Sequence, residues 1–413
     1  MTDARTAIEF SHVDILFSGS GRRGGRARLD AIGMMDQGLG REEILARTGL
    51  VMGVRDASLT VREGEICVLM GLSGSGKSTL LRAVNGLNQV TRGKVLVQNG
   101  DRQVDVANCD RQTLRFMRTR RIAMVFQQFA LLPWRTVREN VGLGLELRGV
   151  SVAERRRIVD ENLKLVALDK WADKYARELS GGMQQRVGLA RAFATDADIL
   201  LMDEPFSALD PLIRTKLQDE LLAVQKTVKK TIIFVSHDLD EALKLGNQIA
   251  ILEGGRIIQA GSPEDIVLTP ANDYVREFVQ HMNPLNVLRG HTFMKRLEHL
   301  PMRDGASLLE PARTILLSGA EAVAGARITM GGQSVPLMQV ADDGTTPPPG
   351  HCAAVTRDAT MKNVIQLRQA TGLPVLMLAG ERIVGVCGED EILHALASEG
   401  WQTVRETAVA AAD

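Results

Sequence analysis

The chain has few aromatic residues, few cysteines and no excess of charge of either sign. Phe, Trp and Tyr make up 4% of its 413 residues, and four cysteines occur without C-x-x-C spacing, which indicates neither a zinc site nor a disulfide framework. Fifty basic and fifty acidic side chains give a formal net charge of +0. Because phosphate contacts require an excess of Lys and Arg, we expect no nucleic-acid partner.

Long hydrophobic runs are also missing. No run approaches the roughly 18–20 apolar residues that span a bilayer, and the first ten residues lack the pattern of a signal peptide. We therefore expect a cytosolic or peripheral protein. Its hydrophobic fraction of 45% excludes an intrinsically disordered chain, and its length predicts two or three domains.

Short apolar runs alternate with helical patterns from Ser58 onward, which is typical of a parallel sheet covered by helices. Such runs suit strands that are buried on both faces. The runs are Ile66–Met70, Ile122–Phe126, Ile199–Met202 and Thr231–Val235. A charged, mostly helical stretch at about 137–196 predicts a helical subdomain inserted into an α/β domain at about 55–265.

The first 54 residues are predicted to form a strand and a helical extension. Ile8–Phe17 reads as a strand, and the basic, Gly- and Ser-rich stretch Ser18–Arg26 as a flexible loop. Two helical patterns follow, Leu29–Gln37 and Arg41–Thr48.

The chain after about residue 265 predicts a second domain. A region at 286–401 has its own strand and helix signals, with a Pro-rich break at Pro347–Pro349. The Ala-rich residues 402–413 are expected to form a frayed tail.

A glycine-rich stretch follows the first buried run and fits G-x-x-x-x-G-K-[ST]. In this motif, backbone N–H groups and a helix N-terminus face phosphate oxygens. Lys77 would reach the β- and γ-phosphates, and the Ser78 hydroxyl would bind Mg²⁺. A helical run, Thr79–Leu87, follows as the motif requires; the alternative is a turn that only caps this helix. The phosphate-binding residues are Gly71, Ser73, Gly74, Ser75, Gly76, Lys77, Ser78 and Thr79.

Two acids follow the third apolar run. Ligands of open parallel sheets bind at the carboxyl ends of the strands, so Asp203 and Glu204 are expected beside the glycine-rich loop. Asp203 suits Mg²⁺ ligation, directly or from the second coordination sphere. Glu204 suits a general base that polarises the attacking water. The alternative is a pair of acids that begins a solvated loop.

Gln127 and His237 also follow buried runs. A lone Gln or His at a strand end is more often structural, but both are expected at the same sheet edge as Lys77 and Glu204. That placement favours a functional role.

The stretch Leu179–Arg186 reads LSGGMQQR. Ser180 predicts an N-cap, and a helix then runs to about Thr195. Gly181 and Gly182 leave N–H groups uncovered, which suits a second anion site. An ordinary capped helix fits these residues equally well.

Together the motifs resemble the nucleotide-binding subunit of an ATP-binding cassette (ABC) transporter, whose order they follow over about residues 55–260. The resemblance implies a P-loop NTPase fold of the ABC type that hydrolyses ATP with Mg²⁺. It assigns Walker A to Gly71–Thr79, the Q-loop to Gln127, the signature to Leu179–Arg186, Walker B to Ile199–Asp203 followed by Glu204, the D-loop to Ser207–Asp210 and the switch histidine to His237.

The resemblance also implies a head-to-tail dimer of two copies around two ATP molecules. Ser180, Gly181, Gly182 and Gln184 of one copy would complete the site of the other, and Asp210 would lie at the dimer interface. The expected catalytic residues are Lys77, Gln127, Glu204 and His237. The expected metal-site residues are Ser78, Gln127 and Asp203.

Finer features are similar to the glycine betaine/proline/choline uptake ATPases: the helix Arg41–Arg47 followed by Thr48-Gly49, and the stretches Met70–Ser75 and Val125–Trp134. This implies a subunit at the cytoplasmic face of a bacterial inner membrane, with permease subunits and, indirectly, a solute-binding protein as partners. A soluble ABC-type ATPase of DNA repair or of ribosomes is the alternative, but one cassette and no sustained heptads disfavour it.

Trp134 and Val137–Val141 are expected near the groove that receives a coupling helix of the permease. A plain packing aromatic is the alternative for Trp134.

Many family members stack adenine on an aromatic about thirty residues before the loop lysine. Leu45–Gly53 contains none, so this aromatic is expected to be missing or supplied from elsewhere.

The stretch Met361–Leu396 resembles a cystathionine-β-synthase-type (CBS) motif, with a degenerate partner half at about Ala312–Val340. In ligand-binding members a Thr and an Asp hold ribose where this chain has Gly388 and Glu391. Two roles stay open for this α+β region: sensing of a ligand or of ionic strength, and dimerisation.

Overall fold

The computed structural model describes residues 5–18, 25–280, 285, 288–319, 322–341 and 345–397. They divide into two compact units, the first formed by the described residues up to Ile266 with Pro270–Val279, the second by Val267–Thr269 and the described residues from Gln280 onward. Residues 19–24 of the predicted loop, and the predicted tail, lie outside the described residues.

Regular strands and helices make up most of the first unit. Its strands are β1 (Thr6–Ser18), β2 (Leu50–Arg62), β3 (Ile66–Met70), β4 (Arg92–Asn99), β5 (Arg102–Asp105), β6 (Ile122–Val125), β7 (Ile199–Asp203), β8 (Thr231–Val235), β9 (Gln248–Glu253) and β10 (Arg256–Gly261). The helices up to residue 279 are α1 (Gly25–Asp36), α2 (Arg41–Thr48), α3 (Lys77–Leu81), α4 (Arg111–Phe116), α5 (Val137–Val141), α6 (Leu143–Leu147), α7 (Val152–Leu165), α8 (Gly181–Ala194), α9 (Pro211–Val228), α10 (Leu239–Leu245), α11 (Pro263–Leu268) and α12 (Asp273–Val279).

The central sheet has the strand order β10-β9-β3-β8-β7-β6, and its strands are parallel apart from β10. Every residue of β3, β7 and β8 is buried, as expected for strands covered on both faces. The four apolar runs form β3, β6, β7 and β8, so the predicted parallel sheet is confirmed. A second, antiparallel sheet has the order β2-β1-β4-β5.

Helices α5 to α8 fill the chain between β6 and β7, where the helical segment was expected. The helix after the glycine-rich loop differs from the expected Thr79–Leu87: α3 begins at Lys77 and ends at Leu81. Beyond it the chain tightens into i→i+3 bonds, from Ala83 N–H to the Leu80 carbonyl and from Gly86 N–H to the Ala83 carbonyl.

The inserted helices α1 and α2 share a small core with β1 and β2. α2 has Glu42 and Glu43 in its first turn and Arg47 in its last, which complements the helix dipole. α1 begins at Gly25, so the predicted loop ends before Gly25 and Arg26. The core residues are Leu16, Ala31, Met35, Ile44, Leu50 and Met52; we call them the insertion core.

Arginines anchor the insertion to the sheet. Arg92 on β4 donates to the buried Asp14 carboxylate at 2.5 Å and to Asp36 at the end of α1 at 2.7 Å. This hydrogen bond from Arg92 holds the pKa of Asp36 below its usual value. The guanidinium of Arg55 donates to the carbonyls of Met35 and Leu39, and it thereby satisfies carbonyl groups at and just beyond the end of α1.

The second unit contains two five-stranded sheets, ordered β11-β20-β19-β18-β17 and β12-β13-β14-β15-β16. Its elements are β11 (Lys295–Arg296), β12 (Met302–Arg303), β13 (Ala306–Glu310), β14 (Ile315–Ser318), β15 (Arg327–Met330), β16 (Gln333–Val335), β17 (Leu337–Gln339), β18 (Cys352–Thr356), β19 (Val375–Ala379), β20 (Arg382–Cys387), α13 (Gly290–Phe293), α14 (Met361–Thr371) and α15 (Glu389–Ala397). Among the residues described in both units, no helix has the length and apolar composition that crossing a bilayer requires.

The predicted partner half, Ala312–Val340, folds differently from a strand-and-helix repeat. Its described residues form the antiparallel strands β14 to β16 and the short β17, with no α-helix. Gly331 and Gly332, with φ of 58° and 84°, make the tight turn between β15 and β16. Runs of three or four apolar residues between such turns are too short to nucleate a helix.

We expect Ile44→Ala to destabilise the insertion, because Ile44 is fully buried in the insertion core. Removing such a side chain costs about 2–4 kcal/mol of unfolding free energy. Leu45→Ala, which truncates a 43% exposed neighbour on α2, should cost less than half as much. Denaturant unfolding followed by circular dichroism measures both. Equal losses would contradict the described packing of α2.

Candidate functional site

A cleft of about 580 Å³ lies at the carboxyl ends of the parallel strands of the first unit. It brings together the glycine-rich loop, two strand-end residues and the acid that follows β7. Its lining residues are Phe17, Arg41, Val51, Met52, Gly53, Ser73, Gly74, Gly76, Lys77, Ser78, Thr79, Gln127, Glu204 and His237.

Residues from later in the chain pack against the glycine-rich loop and hold it in place. Gly71 has φ of 138°, and a Cβ at this position would lie 2.1 Å from the Leu252 carbonyl oxygen, so only glycine fits. The Tyr274 hydroxyl accepts from the Leu72 N–H and donates to the Leu252 carbonyl, both at 3.3 Å. Tyr274 is a supporting residue that the motif did not reveal.

Lys77 is folded into this loop and is 6% exposed. Its Nζ donates to the carbonyls of Gly71 at 2.8 Å and Leu72 at 3.0 Å. Burial lowers the pKa of Lys77, and the negative charges of Glu204 and Asp203 oppose that shift. The loop thus holds an ammonium group beside two carboxylates.

Asp203 is fully buried at the end of β7. Its Oδ1 accepts from the Ser78 hydroxyl at 2.7 Å, and its Oδ2 accepts from Arg82 Nη2 at 2.8 Å. The carboxylate therefore links the end of β7 to the segment that follows β3, although β8 lies between these two strands in the sheet. Arg82 was not identified from the sequence, because no motif marks the fifth residue after the lysine.

The Glu204 carboxylate lies close to both polar strand-end residues, Gln127 and His237. Its Oε2 accepts from Gln127 Nε2 at 3.0 Å and lies 3.5 Å from His237 Nδ1. The backbone at Glu204 has φ of 48°, in the left-handed region that is costly for side chains other than glycine and is concentrated at functional sites. The sheet thus brings Gln127, Glu204 and His237 together as expected.

Gln185 on α8 ties the LSGG helix to the acid loop, which sequence reasoning missed. This fully buried side chain donates to the Glu204 carbonyl at 3.1 Å and accepts from the Ala208 N–H at 3.1 Å. A buried amide that serves one donor and one acceptor holds two segments in a fixed register.

An aromatic residue does line the cleft. Phe17, at the end of β1, packs so closely on Gly53 that a Cβ there would lie 2.6 Å from the ring. The ring is 36% exposed. The cleft thus has an aromatic residue from outside the stretch Leu45–Gly53, and stacking of adenine on it stays a prediction. α1 and α2 lie between Phe17 and Lys77 and lengthen their separation to twice the family spacing.

The LSGG segment lies outside the cleft lining. Ser180 caps α8 by accepting from the Met183 N–H at 3.4 Å, and Gln184 donates to the Leu179 carbonyl at 3.0 Å. Asp210 caps α9 through the Ile213 N–H at 3.1 Å. Ser180 and Gly181 are exposed.

A mostly apolar groove lies next to Gln127. It is lined by residues that include Leu87, Phe126, Ala130, Leu143 and Leu147. Val137 and Val141 are buried instead of lining the groove, and Trp134 is 69% exposed. The exposure of Trp134 contradicts its interpretation as a packing aromatic.

Comparisons with known proteins agree with this geometry. The ABC transporter family model matches residues 54–207. The glycine betaine/proline betaine transport system ATP-binding protein ProV of Escherichia coli is 52% identical over 262 residues, which are 63% of this chain and 64% of ProV. The chain thus spans less than two thirds of the length of this relative.

Two further similarities cover more of the other protein. The glycine betaine/carnitine transport ATP-binding protein GbuA of Listeria monocytogenes is 47% identical over 274 residues, 66% of this chain and 68% of GbuA. A dimeric structure of a post-hydrolysis state of the ATP-binding cassette MJ0796, bound to ADP and Pi, has a TM-score of 0.52 at 30% identity. That similarity covers 62% of this chain and 98% of the cassette.

We expect Arg82→Ala to destabilise the first unit, because the buried Asp203 carboxylate loses its cationic partner. Arg82 is 38% exposed, so solvent screening reduces the loss to about 1–3 kcal/mol. Arg82→Lys should recover part of it. The measurement is denaturant unfolding without nucleotide, and an unchanged midpoint for Arg82→Ala would contradict the role of this ion pair.

Proposed function

The chain belongs to the family of ATP-binding proteins of ABC transporters, and from this we propose that it hydrolyses ATP to energise uptake of a quaternary amine such as glycine betaine or choline. The observation that carries the proposal is the cleft in which Lys77 and Ser78 lie beside the Glu204 carboxylate. The names of ProV and GbuA support the transport function and the amine substrate. They give no support to a DNA-repair or ribosomal role.

The proposed chemistry is attack of water on the γ-phosphorus of ATP. A P–O bond forms to the water oxygen, and the bond to the β–γ bridging oxygen breaks to give ADP and phosphate. Lys77 and the N–H groups of the glycine-rich loop bind the phosphate oxygens. Glu204 takes up the proton of the water, and Gln127 and His237 orient its carboxylate.

Mg²⁺ is the proposed metal. Among the described residues no three His, Cys, Asp or Glu side chains could hold a metal ion together. Mg²⁺ keeps water and phosphate oxygens as most of its ligands, so it needs few protein donors beside ATP. The Ser78 hydroxyl and the Gln127 amide oxygen are suitable donors. Asp203, whose oxygens already accept from Ser78 and Arg82, would act from the second coordination sphere. When bound, the ion would neutralise phosphate charge.

The proposed working form is a head-to-tail dimer of two copies. The LSGG segment supports it, because Ser180 and Gly181 are exposed and lie outside the cleft of their own chain. In the dimer, Ser180, Gly181, Gly182 and Gln184 would contact the nucleotide of the partner copy. The dimeric form of the related cassette supports this arrangement.

The proposed membrane partners are permease subunits, and indirectly a solute-binding protein, at the cytoplasmic face of a bacterial inner membrane. The groove beside Gln127 offers an apolar surface for a permease helix, and the exposed Trp134 lies a few residues along the chain from Ala130. Closure of the dimer around ATP would then shift the permease between its states.

For the second unit we propose a CBS-like half. The order β18–α14–β19–β20–α15 supports it, since this is the strand–helix–strand–strand–helix sequence of such a motif. The Glu391 carboxylate accepts from the Gly388 N–H at 2.8 Å, so the two residues at the ribose positions contact each other. Sensing and dimerisation both stay predictions for this unit.

Transport by reconstituted vesicles tests the proposed function. The chain is purified with its permease and solute-binding protein, and uptake of labelled glycine betaine and choline is measured with ATP inside the vesicles. We expect ATP-dependent uptake that Lys77→Ala abolishes. ATP hydrolysis that responds to DNA or ribosomes, and not to either amine, would contradict the proposal.

We expect Glu204→Gln to reduce steady-state ATP hydrolysis by about a hundredfold or more, because the amide cannot accept the proton of the attacking water. ATP binding should persist, so the variant should accumulate as an ATP-bound dimer in size-exclusion chromatography. Glu154→Gln, at an exposed position on α7, is the control for loss of one charge. Unchanged hydrolysis by Glu204→Gln would refute the catalytic role.

Phe17→Ala should raise the KM for ATP about five- to a hundredfold, because stacking of one base on an aromatic ring contributes about 1–3 kcal/mol. Phe17→Tyr should retain the wild-type KM. Steady-state hydrolysis over a range of ATP concentrations measures both, and kcat should change little. A KM for Phe17→Ala within twofold of wild type would exclude Phe17 as the stacking residue.

A further inference from the structure

We propose that Arg41, on the inserted helix α2, is a second cation of the cleft and binds phosphate oxygens of the nucleoside triphosphate. The inference rests on the proposed function, because it adds a residue to the same site. The glycine-rich motif contains one cation, Lys77; Arg41 stands 36 positions before it, in a segment that the motif does not include.

Arg41 is held directly against the glycine-rich loop. Its Nη1 donates to the Gly74 carbonyl at 2.8 Å, and its Nη2 donates to the Gly53 carbonyl at 3.3 Å. The side chain therefore bridges the loop and the start of β2, and it lines the cleft together with Phe17. The guanidinium thus contacts both the glycine-rich loop and Gly53, on which the proposed base-stacking ring packs.

The charge of Arg41 is not neutralised. Among the described residues it forms no ion pair, whereas Arg47 on the same helix pairs with Glu43 and Arg82 pairs with Asp203. Its partners are two neutral carbonyls, and its Nε is buried without any hydrogen-bond acceptor. A phosphate oxygen would satisfy this cation better than a carbonyl, because it adds the attraction between opposite charges to the hydrogen bond.

The insertion core fixes the position of Arg41. Ile44, one turn further along α2, is buried in that core with Leu16 and Met52. Leu16 precedes Phe17, and Met52 precedes Gly53, so one apolar cluster supports three residues that line the cleft. Because two carbonyls already hold the Arg41 side chain on this helix, little side-chain entropy is lost when it meets a phosphate.

The planar guanidinium also allows both contacts at once. Arg carries five N–H donors in a rigid fork, so it can keep the Gly74 carbonyl on one nitrogen and present others to a ligand. A Lys ammonium can supply the positive charge, but it lacks the planar fork that contacts the carbonyl and the ligand together. The insertion thus contributes a binding residue in addition to lengthening the chain.

Equilibrium binding of a fluorescent ATP analogue tests the inference. The proteins are wild type, Arg41→Ala, Arg41→Lys, Arg47→Ala and Lys77→Ala, each full length, measured at low and at high salt. We expect Arg41→Ala to weaken binding about tenfold at low salt and less at high salt, since salt screens the lost charge. Arg41→Lys should recover part of the affinity, because it restores the charge without the shared geometry, and Arg47→Ala should match wild type.

Three outcomes would overturn the inference. Wild-type affinity of Arg41→Ala is one, and an equal loss for Arg41→Ala and Arg41→Lys is another. A loss that is the same at all salt concentrations and equally large for uncharged adenosine is the third, because it indicates a purely structural role. Melting curves without nucleotide show that each variant is folded. If Lys77→Ala also binds as wild type does, the proposed function itself fails; if only Lys77→Ala loses binding, this inference alone fails.

Discussion

Hydrogen bonds to the buried Asp203 carboxylate join the parts of the cleft that the chain supplies from separate segments. Asp203 ends β7, whereas Ser78 and Arg82 follow β3, and β8 lies between these two strands in the sheet. A buried carboxylate is unfavourable without its partners, so the loop position and the sheet register stabilise each other. The same strand places Glu204 one residue further, where Gln127 and His237 reach it.

Much of the first unit could be predicted because its strands are buried on both faces. Ile66–Met70 is apolar throughout, Thr231–Val235 is apolar after its first residue, and the two runs match β3 and β8 residue for residue. The polar residues at the strand ends then converge for a topological reason alone, since parallel strands end at one edge. Residues such as Lys77 and Glu204 are identifiable because each follows a recognisable run.

The residues that escaped prediction lack such a local signal. Phe17 lies at the cleft because β1 and β2 pair, a contact between distant segments that no spacing rule reveals. Arg41 and Gln185 act through hydrogen bonds to backbone atoms of other segments. In the second unit, the resemblance of Ala312–Val340 to a strand-and-helix repeat overlooked how short its apolar runs are, and these runs pair as the antiparallel strands β14 to β16.

The left-handed backbone at Glu204 restricts what evolution can do with this position. Residues branched at Cβ are strongly disfavoured at such a φ, while unbranched polar residues are tolerated better. A copy of this chain that had lost hydrolysis would still be confined to a narrow set of side chains here, for reasons of backbone shape. Conservation of a Glu-like residue after β7 in related chains would therefore be weaker evidence for catalysis than conservation of Gln127 and His237, which contact its carboxylate.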